Sequence, residues 1–205
     1  MAAAPGHATK TPISGAKRSF CGAKVYWRHL EIHRKAMQIR DLEAADAADL
    51  LEFELANRAW FERTVEARKE TFYTLEGVQE HIRECLEAHA GGAMHPLVML
   101  AEDGRIGGRA NIRYIDQAKG CGEIGYRIAE RHCGKGWASA SVRHMQQLAY
   151  SIWRLQALHA YASIENPASA HILEKHGFIR QELIRERSRV QQRLLDAYRF
   201  RHVIA

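Results

Sequence analysis

The feature that most constrains this chain is a glycine-rich loop, Arg131-His132-Cys133-Gly134-Lys135-Gly136, held between a strand-like run and a long helical one. Upstream, residues 122–129 read as a strand. Downstream, Ala138, Val142, Met145, Ala149 and Ile152 recur at spacings of four, three, four and three, the apolar stripe of a helix. A helix start leaves backbone N–H groups unpaired and carries partial positive charge, so it attracts phosphate. Glycines at 134 and 136 allow close approach to a diphosphate with no Cβ in the way. Arg131 and Lys135 add cations beside it. A tight turn that needs glycine for geometry alone reads the same way, and the loop by itself leaves both readings open.

Around that loop the two periods alternate. Residues 37–42 alternate as a strand. Asp46 can cap a helix whose face is Leu50, Leu51, Phe53 and Leu55. A polar connection carrying Trp60, Phe61, Phe72 and Tyr73 leads to a helix over 75–90, closed by Gly91-Gly92. Those aromatics read either as a lid packed on a sheet or as a wall of a substrate pocket. Strands 96–101 and 105–115 flank the turn Glu102-Asp103-Gly104. After the loop and its helix come a strand over 157–164 and a helix opened by Asn166-Pro167 and stopped at His176-Gly177. Strands over 178–187 and 194–203 follow. The fold class expected is α/β (α+β), a mixed sheet of six or seven strands with about four helices, in one domain over 37–205.

Charge separates that domain from what precedes it. The chain carries 30 Lys and Arg against 24 Asp and Glu, net +6. Residues 1–36 hold seven of those cations and one acid, Glu31, so the rest is balanced. The basic extension is expected to be flexible: a solvated tail, the product of a start before Met37, or a tether to RNA or the ribosome. It lacks the pattern of a signal peptide. No apolar run approaches the ~20 residues of a membrane span. Cys21, Cys85, Cys121 and Cys133 form no Cys-x-x-Cys pair, which reads as reduced thiols, a cytoplasmic setting and no metal site.

The strand Glu123-Ile124-Gly125-Tyr126-Arg127-Ile128-Ala129-Glu130 runs into the loop and on to Trp137-Ala138-Ser139; further along stand Asn166-Pro167-Ala168-Ser169 and Glu174-Lys175-His176-Gly177-Phe178. In this order and spacing they resemble the GNAT superfamily of acetyltransferases, and more narrowly the RimJ/RimL type, which acetylates the N-terminal amino groups of ribosomal proteins. The resemblance spans residues 37–203. It implies acetyl-CoA as co-substrate and a sheet that splays between the strands at 122–129 and 157–164. It implies that backbone groups at Ile128 and Ala129 pair with the pantetheine arm. Amides of Arg131, His132, Cys133, Gly134, Lys135 and Gly136, continuing into Trp137, would hold the pyrophosphate. Asn166 would bond the pantetheine and Ser169 would lie near the sulfur.

Acetyl transfer to an amine needs three services. An ammonium of pKa about 8 must lose a proton, an oxyanion must be stabilised, and the leaving thiolate takes a proton. The backbone near Ile128 is assigned the oxyanion. Ser169 is the candidate acid, although Asn166 as cap and Pro167 at the first helical position explain that turn without chemistry. The RimJ/RimL resemblance implies a carboxylate base on the strand after Gly177-Phe178, where this sequence offers Glu186, with Glu182 on the same face because their separation is even. Glu123 reads as structural, and a water chain with no single base is the other possibility. His132 and Cys133 are adjacent and unoriented, which argues against an acyl-enzyme and for direct attack in a ternary complex. The acceptor is a protein N-terminus or a small amine such as a polyamine, amino-acid derivative or antibiotic; a non-catalytic acyl-CoA-binding module is the third reading. A monomer and a homodimer are both compatible with the sequence.

Overall fold

Seven strands and five helices follow one another in the computed structural model, which describes residues 37–204. What was expected of the basic extension lies outside these residues. In order, β1 (Gln38–Asp41) leads to α1 (Ala47–Ala56), α2 (Arg58–Phe61) and α3 (Leu75–Ala90). The hairpin β2 (Met94–Leu100) and β3 (Ile106–Asp116) continues into β4 (Cys121–Ile128). Then come α4 (Trp137–Ser151), β5 (Ala157–Ser163), α5 (Pro167–Lys175) and the closing hairpin β6 (Ile179–Val190) and β7 (Arg193–Val203). The helix beyond the expected four is α2, four residues within the aromatic connection.

All strands join one sheet in the order β1-β2-β3-β4-β5-β7-β6. Every pair is antiparallel except β4 with β5. A parallel pair needs a crossover, and α4 supplies it. That pairing is short: Cys121 faces Ala157, Gly122 faces Leu158 and Glu123 faces His159, and beyond them the strands part. The sheet therefore opens at its centre, where the sequence resemblance expected it to.

Period-two alternation gives the sheet two apolar faces. On one, Leu97, Met99, Ile112, Ile124 and Ile128 pack with Val142 and Met145 of α4 and Leu173 of α5. On the other, Val98, Ile106 and Ala129 pack with Leu50 and Phe53 of α1 and with Val78, Ile82 and Cys85 of α3. Three local expectations are corrected. Leu55 is 49% exposed, while the buried face of α1 includes Glu54. Ile152 lies just beyond α4 and is 62% exposed, because the helix ends at Ser151. Asp46 does not cap α1 with its side chain. Its carboxylate instead takes Arg40 at 2.6 and 2.8 Å and the Glu43 amide at 2.8 Å, which ties β1 to the turn before the helix.

Candidate active site

The loop is built as a helix entrance with an open mouth. Gly136 precedes α4 at φ 82° and Gly134 stands at φ 72°, both in the left-handed region that disfavours a side chain. A Cβ added at either would meet nothing within 4 Å, so the space above them is free. Backbone N–H groups of the first turn of a fifteen-residue helix face it, flanked by the exposed cations Arg131 and Lys135. These donors and charges fit a diphosphate.

The loop is also fixed from below. His132 stacks on Trp137 with ring centroids 4.0 Å apart and planes 9° from parallel. The pair rests on Gly107 of β3, where a Cβ would come within 2.6 Å of His132 and 2.7 Å of Trp137. His132 Nε2 accepts from Arg131 Nε at 3.1 Å, and burial, then Arg131 and Lys135, holds its pKa below the usual histidine value. The Cys133 thiol is pushed up by partial burial and by Glu130. The imidazole is stacked, and the Cys133 thiol lies exposed with its pKa held up.

Behind the loop, the opening between β4 and β5 is lined on the α5 side by Tyr126 and Ser169, whose oxygens lie 3.0 Å apart. Burial pushes the Tyr126 hydroxyl up, so it stays protonated at neutral pH. Asn166 caps α5 by accepting the Ser169 N–H at 3.1 Å, which leaves its NH₂ free to donate elsewhere. Of the two residues expected to offer backbone groups, Ala129 is committed: its N–H donates to Gly107 O at 2.9 Å. Ile128 is one residue out of phase, so its N–H points away from β3, toward the side where β5 has parted. The Ile128 carbonyl accepts from the Trp60 indole at 3.2 Å.

Glu186 is not brought to this opening. β6 is the edge strand, separated from β5 by β7. A register shift lies between Ile184 and Ser188, with Glu186 at φ 51°, exposed, its N–H donating to Asp196. The bulge breaks the even-spacing argument that put Glu182 and Glu186 on one face; Glu182 pairs with Arg199 at 2.9 Å. Glu123 pairs with Arg113, Nε to Oε1 being 2.9 Å, as a structural carboxylate would.

The opposite face of the opening holds a charged set not singled out from the sequence. Arg109, Asn111 and Arg113 of β3 stand across from Arg127, Gly125 and Glu123 of β4. Fully buried Glu54 reaches down from α1 to Arg109 at 2.8 Å and Arg127 at 3.5 Å, and Arg68 lies 3.9 Å away. Arg109 also donates to His81 of α3 at 2.7 Å; burial first, then Arg109, lowers that imidazole's pKa to about 3. Of the aromatic connection, Phe61 and Phe72 are core, while Val65 and Arg68 line the cavity of about 240 Å³ between this face and Ser169. Polar residues at 109, 111, 113, 123 and 127 alternate with apolar ones, the pattern of an antiparallel strand with one solvated face, so the sequence did not show that this face is covered by α1 and α3.

Residues 37–179 match the family model described as an acetyltransferase (GNAT) domain. The chain belongs to the GNAT acetyltransferases. Its activity is that of an acetyl-CoA-dependent N-acetyltransferase. It is 29% identical over 158 residues to the probable N-acetyltransferase YjcK of Bacillus subtilis, covering 76% of this chain and 87% of that one. The ribosomal-protein-S5-alanine acetyltransferase of Vibrio fischeri superposes with TM-score 0.78 at 20% identity, over 82% of this chain and 92% of its own. RimL, the ribosomal L7/L12 α-N-protein acetyltransferase, solved with coenzyme A, gives 0.75 at 17%, over 82% and 94%. The spermidine N-acetyltransferase of Vibrio cholerae, solved with CoA and spermine, gives 0.70 at 19%, over 82% and 96%. At such identities the structural likeness is one of fold.

Proposed function

We propose that this GNAT enzyme acetylates the N-terminal α-amino group of a protein by direct attack, with donor and acceptor bound together. The observation that carries the reading is the parting of β4 from β5, with the Gly134 and Gly136 loop at one end and Ser169 on its wall. Acetyl-CoA supplies an activated acetyl group: one N–C bond forms as one C–S bond breaks, and CoA leaves with a free thiol. The amides of residues 131–136 hold the pyrophosphate, and the Asn166 NH₂ bonds the pantetheine. The Ile128 N–H faces the carbonyl oxygen as its negative charge grows. Ser169 gives its proton to the departing sulfur and regains one through Tyr126, which takes its own replacement from solvent. With Glu186 exposed, its N–H on Asp196, and outside the residues that line the cavity, the amine proton goes to water, as its pKa of about 8 allows.

A small-molecule amine as acceptor is the second reading, favoured by the likeness to an enzyme solved with spermine. A cytoplasmic setting suits both, and Cys85, Cys121 and Cys133 are free thiols. The experiment is an acceptor screen with detection of released thiol. Turnover of Ala- or Ser-starting peptides without turnover of spermidine supports the first reading, and the reverse supports the second. Acetyl-CoA bound but consumed with no acceptor would overturn both in favour of a binding module.

A further inference from the structure

One carboxylate shares its buried site with three guanidiniums. Arg109 takes the good geometry on Glu54, at 2.8 Å; Arg127 and Arg68 stand off at 3.5 and 3.9 Å. Arg113 is answered by Glu123. Four guanidiniums therefore meet two carboxylates around one cavity, an excess of two positive charges. Single atoms are unmatched in both senses, one donor on Arg68 and two acceptors on Glu54 and Asn111. Among the described residues, Glu54 Oε2, Arg68 Nε and Asn111 Oδ1 are buried with no hydrogen-bond partner. Buried polar atoms kept only for stability are normally matched, and uncompensated buried charge is costly.

Nearby acids do not make up the difference. Glu62 is taken by Arg58 at 2.9 Å, and Glu70 by the same guanidinium at 3.0 Å. A further cation stands at the rim, Arg187 lying 4.5 Å over the ring of Tyr161, which lines the cavity. Nor are these arginines placed for the donor's phosphates. The phosphate loop opens α4, which packs on the sheet face of Ile124 and Ile128. Glu54 and His81 come from α1 and α3 on the other face. The cavity nevertheless reaches Tyr126 and Ser169, so a molecule seated on the arginines lies against the opening where the amine must react.

We propose that the acceptor carries a carboxylate, seated against Arg68 and Arg127, beside the amine that is acetylated. The inference rests on the acetyltransferase reading above and names its substrate class. The carboxylate comes either from an acidic side chain next to a peptide N-terminus or from the α-carboxylate of a free amino acid. A polyamine brings like charge to this wall and is rejected.

The test separates binding from turnover. Equilibrium binding to the CoA-loaded protein is measured for acetyl-Ser-Asp-amide, acetyl-Ser-Ala-amide, acetyl-Ser-Lys-amide, N-acetylglutamate and N1-acetylspermidine. Initial rates of thiol release follow with the unacetylated amines. The acidic ligands are expected to bind about tenfold or more tighter than the Ala peptide, since a charge-assisted contact is lost without them. The Lys peptide and the acetylspermidine should bind weakest. Whether the peptide or the glutamate arm binds tighter tells which source supplies the carboxylate. Arg68→Gln should abolish the preference while leaving CoA affinity unchanged, with circular dichroism confirming that the variant is folded. Equal binding of the Asp and Lys peptides, tightest binding by acetylspermidine, no binding at all, or a preference that survives Arg68→Gln overturns the proposal. Charge-selective binding without turnover would sink the enzymatic reading and leave only a carboxylate-binding site at Arg68 and Arg127; turnover without charge preference would overturn the carboxylate proposal and leave the enzymatic reading standing.

Discussion

A methyl group at position 107 would come within 2.6 Å of the His132 ring and 2.7 Å of the Trp137 ring. Those rings sit on rigid supports, one on the loop and one on the first turn of α4, so they can yield only by moving the loop itself. Gly107→Ala is therefore expected to weaken CoA binding about tenfold or more while costing about 1–3 kcal/mol in stability, the usual range for overpacking. Titration with CoA and thermal melting of the same sample check both. The position has no charge and touches no ligand, so its effect is a test of how the loop is held. Ser169 and Tyr126 make the complementary point. Their 3.0 Å contact comes from a strand residue and a helix residue 43 positions apart, and nothing local in either segment announces the pair.

Between elements, Glu54 is the joint. It is fully buried on α1 and holds Arg109 of β3 at 2.8 Å, with Arg127 of β4 nearby. Removing it leaves buried guanidiniums uncompensated, so Glu54→Ala should cost about 3–5 kcal/mol, measured by chemical denaturation. This joint explains where sequence reading stopped. α3, the loop, α4 and the turn at Asn166 were legible because glycine, proline and period are local signals, and the fifteen residues of α4 begin directly after Gly136. Glu54 was not, because a charged residue on a helix is read as solvent-facing unless its partner is known, and Arg109 lies 55 positions away. The even spacing of Glu182 and Glu186 misplaced Glu186 for a related reason. Alternation counts residues, and the bulge between Ile184 and Ser188 inserts a break that composition does not reveal.

At the scale of the molecule, acid should loosen the fold. His81 has a folded pKa of about 3 against an ordinary 6.5, because burial and Arg109 oppose its protonation. The unfolded chain binds that proton more readily. The stability is therefore whole above the unfolded value and drains as pH falls from about 6.5 toward 3. Between pH 7 and 5 this one group removes roughly 2 kcal/mol. His132, His144, His159 and His176, also shifted down with burial as the first cause, add in the same direction. Melting curves across that range should show the decline, and His81→Gln, which keeps an acceptor for Arg109, should reduce it. The family match begins at Met37, where the charge balance also changes. We propose that residues 1–36 are an extension outside the enzyme proper. Its deletion should leave Tm and CoA affinity as they are, with any loss confined to binding of RNA or ribosomes.

The donor site at Gly134 underlies every step above, and CoA affinity of Gly134→Val measures it most directly. Gly134 has φ 72° and open space around it, so a β-branched side chain both strains the backbone and fills the space over the helix entrance. Isothermal titration of CoA into wild type and variant, at matched folded fraction, is expected to show a Kd raised tenfold or more, about 1.4 kcal/mol or beyond. An unchanged Kd would mean that the diphosphate is held elsewhere, and the account of the site would be wrong.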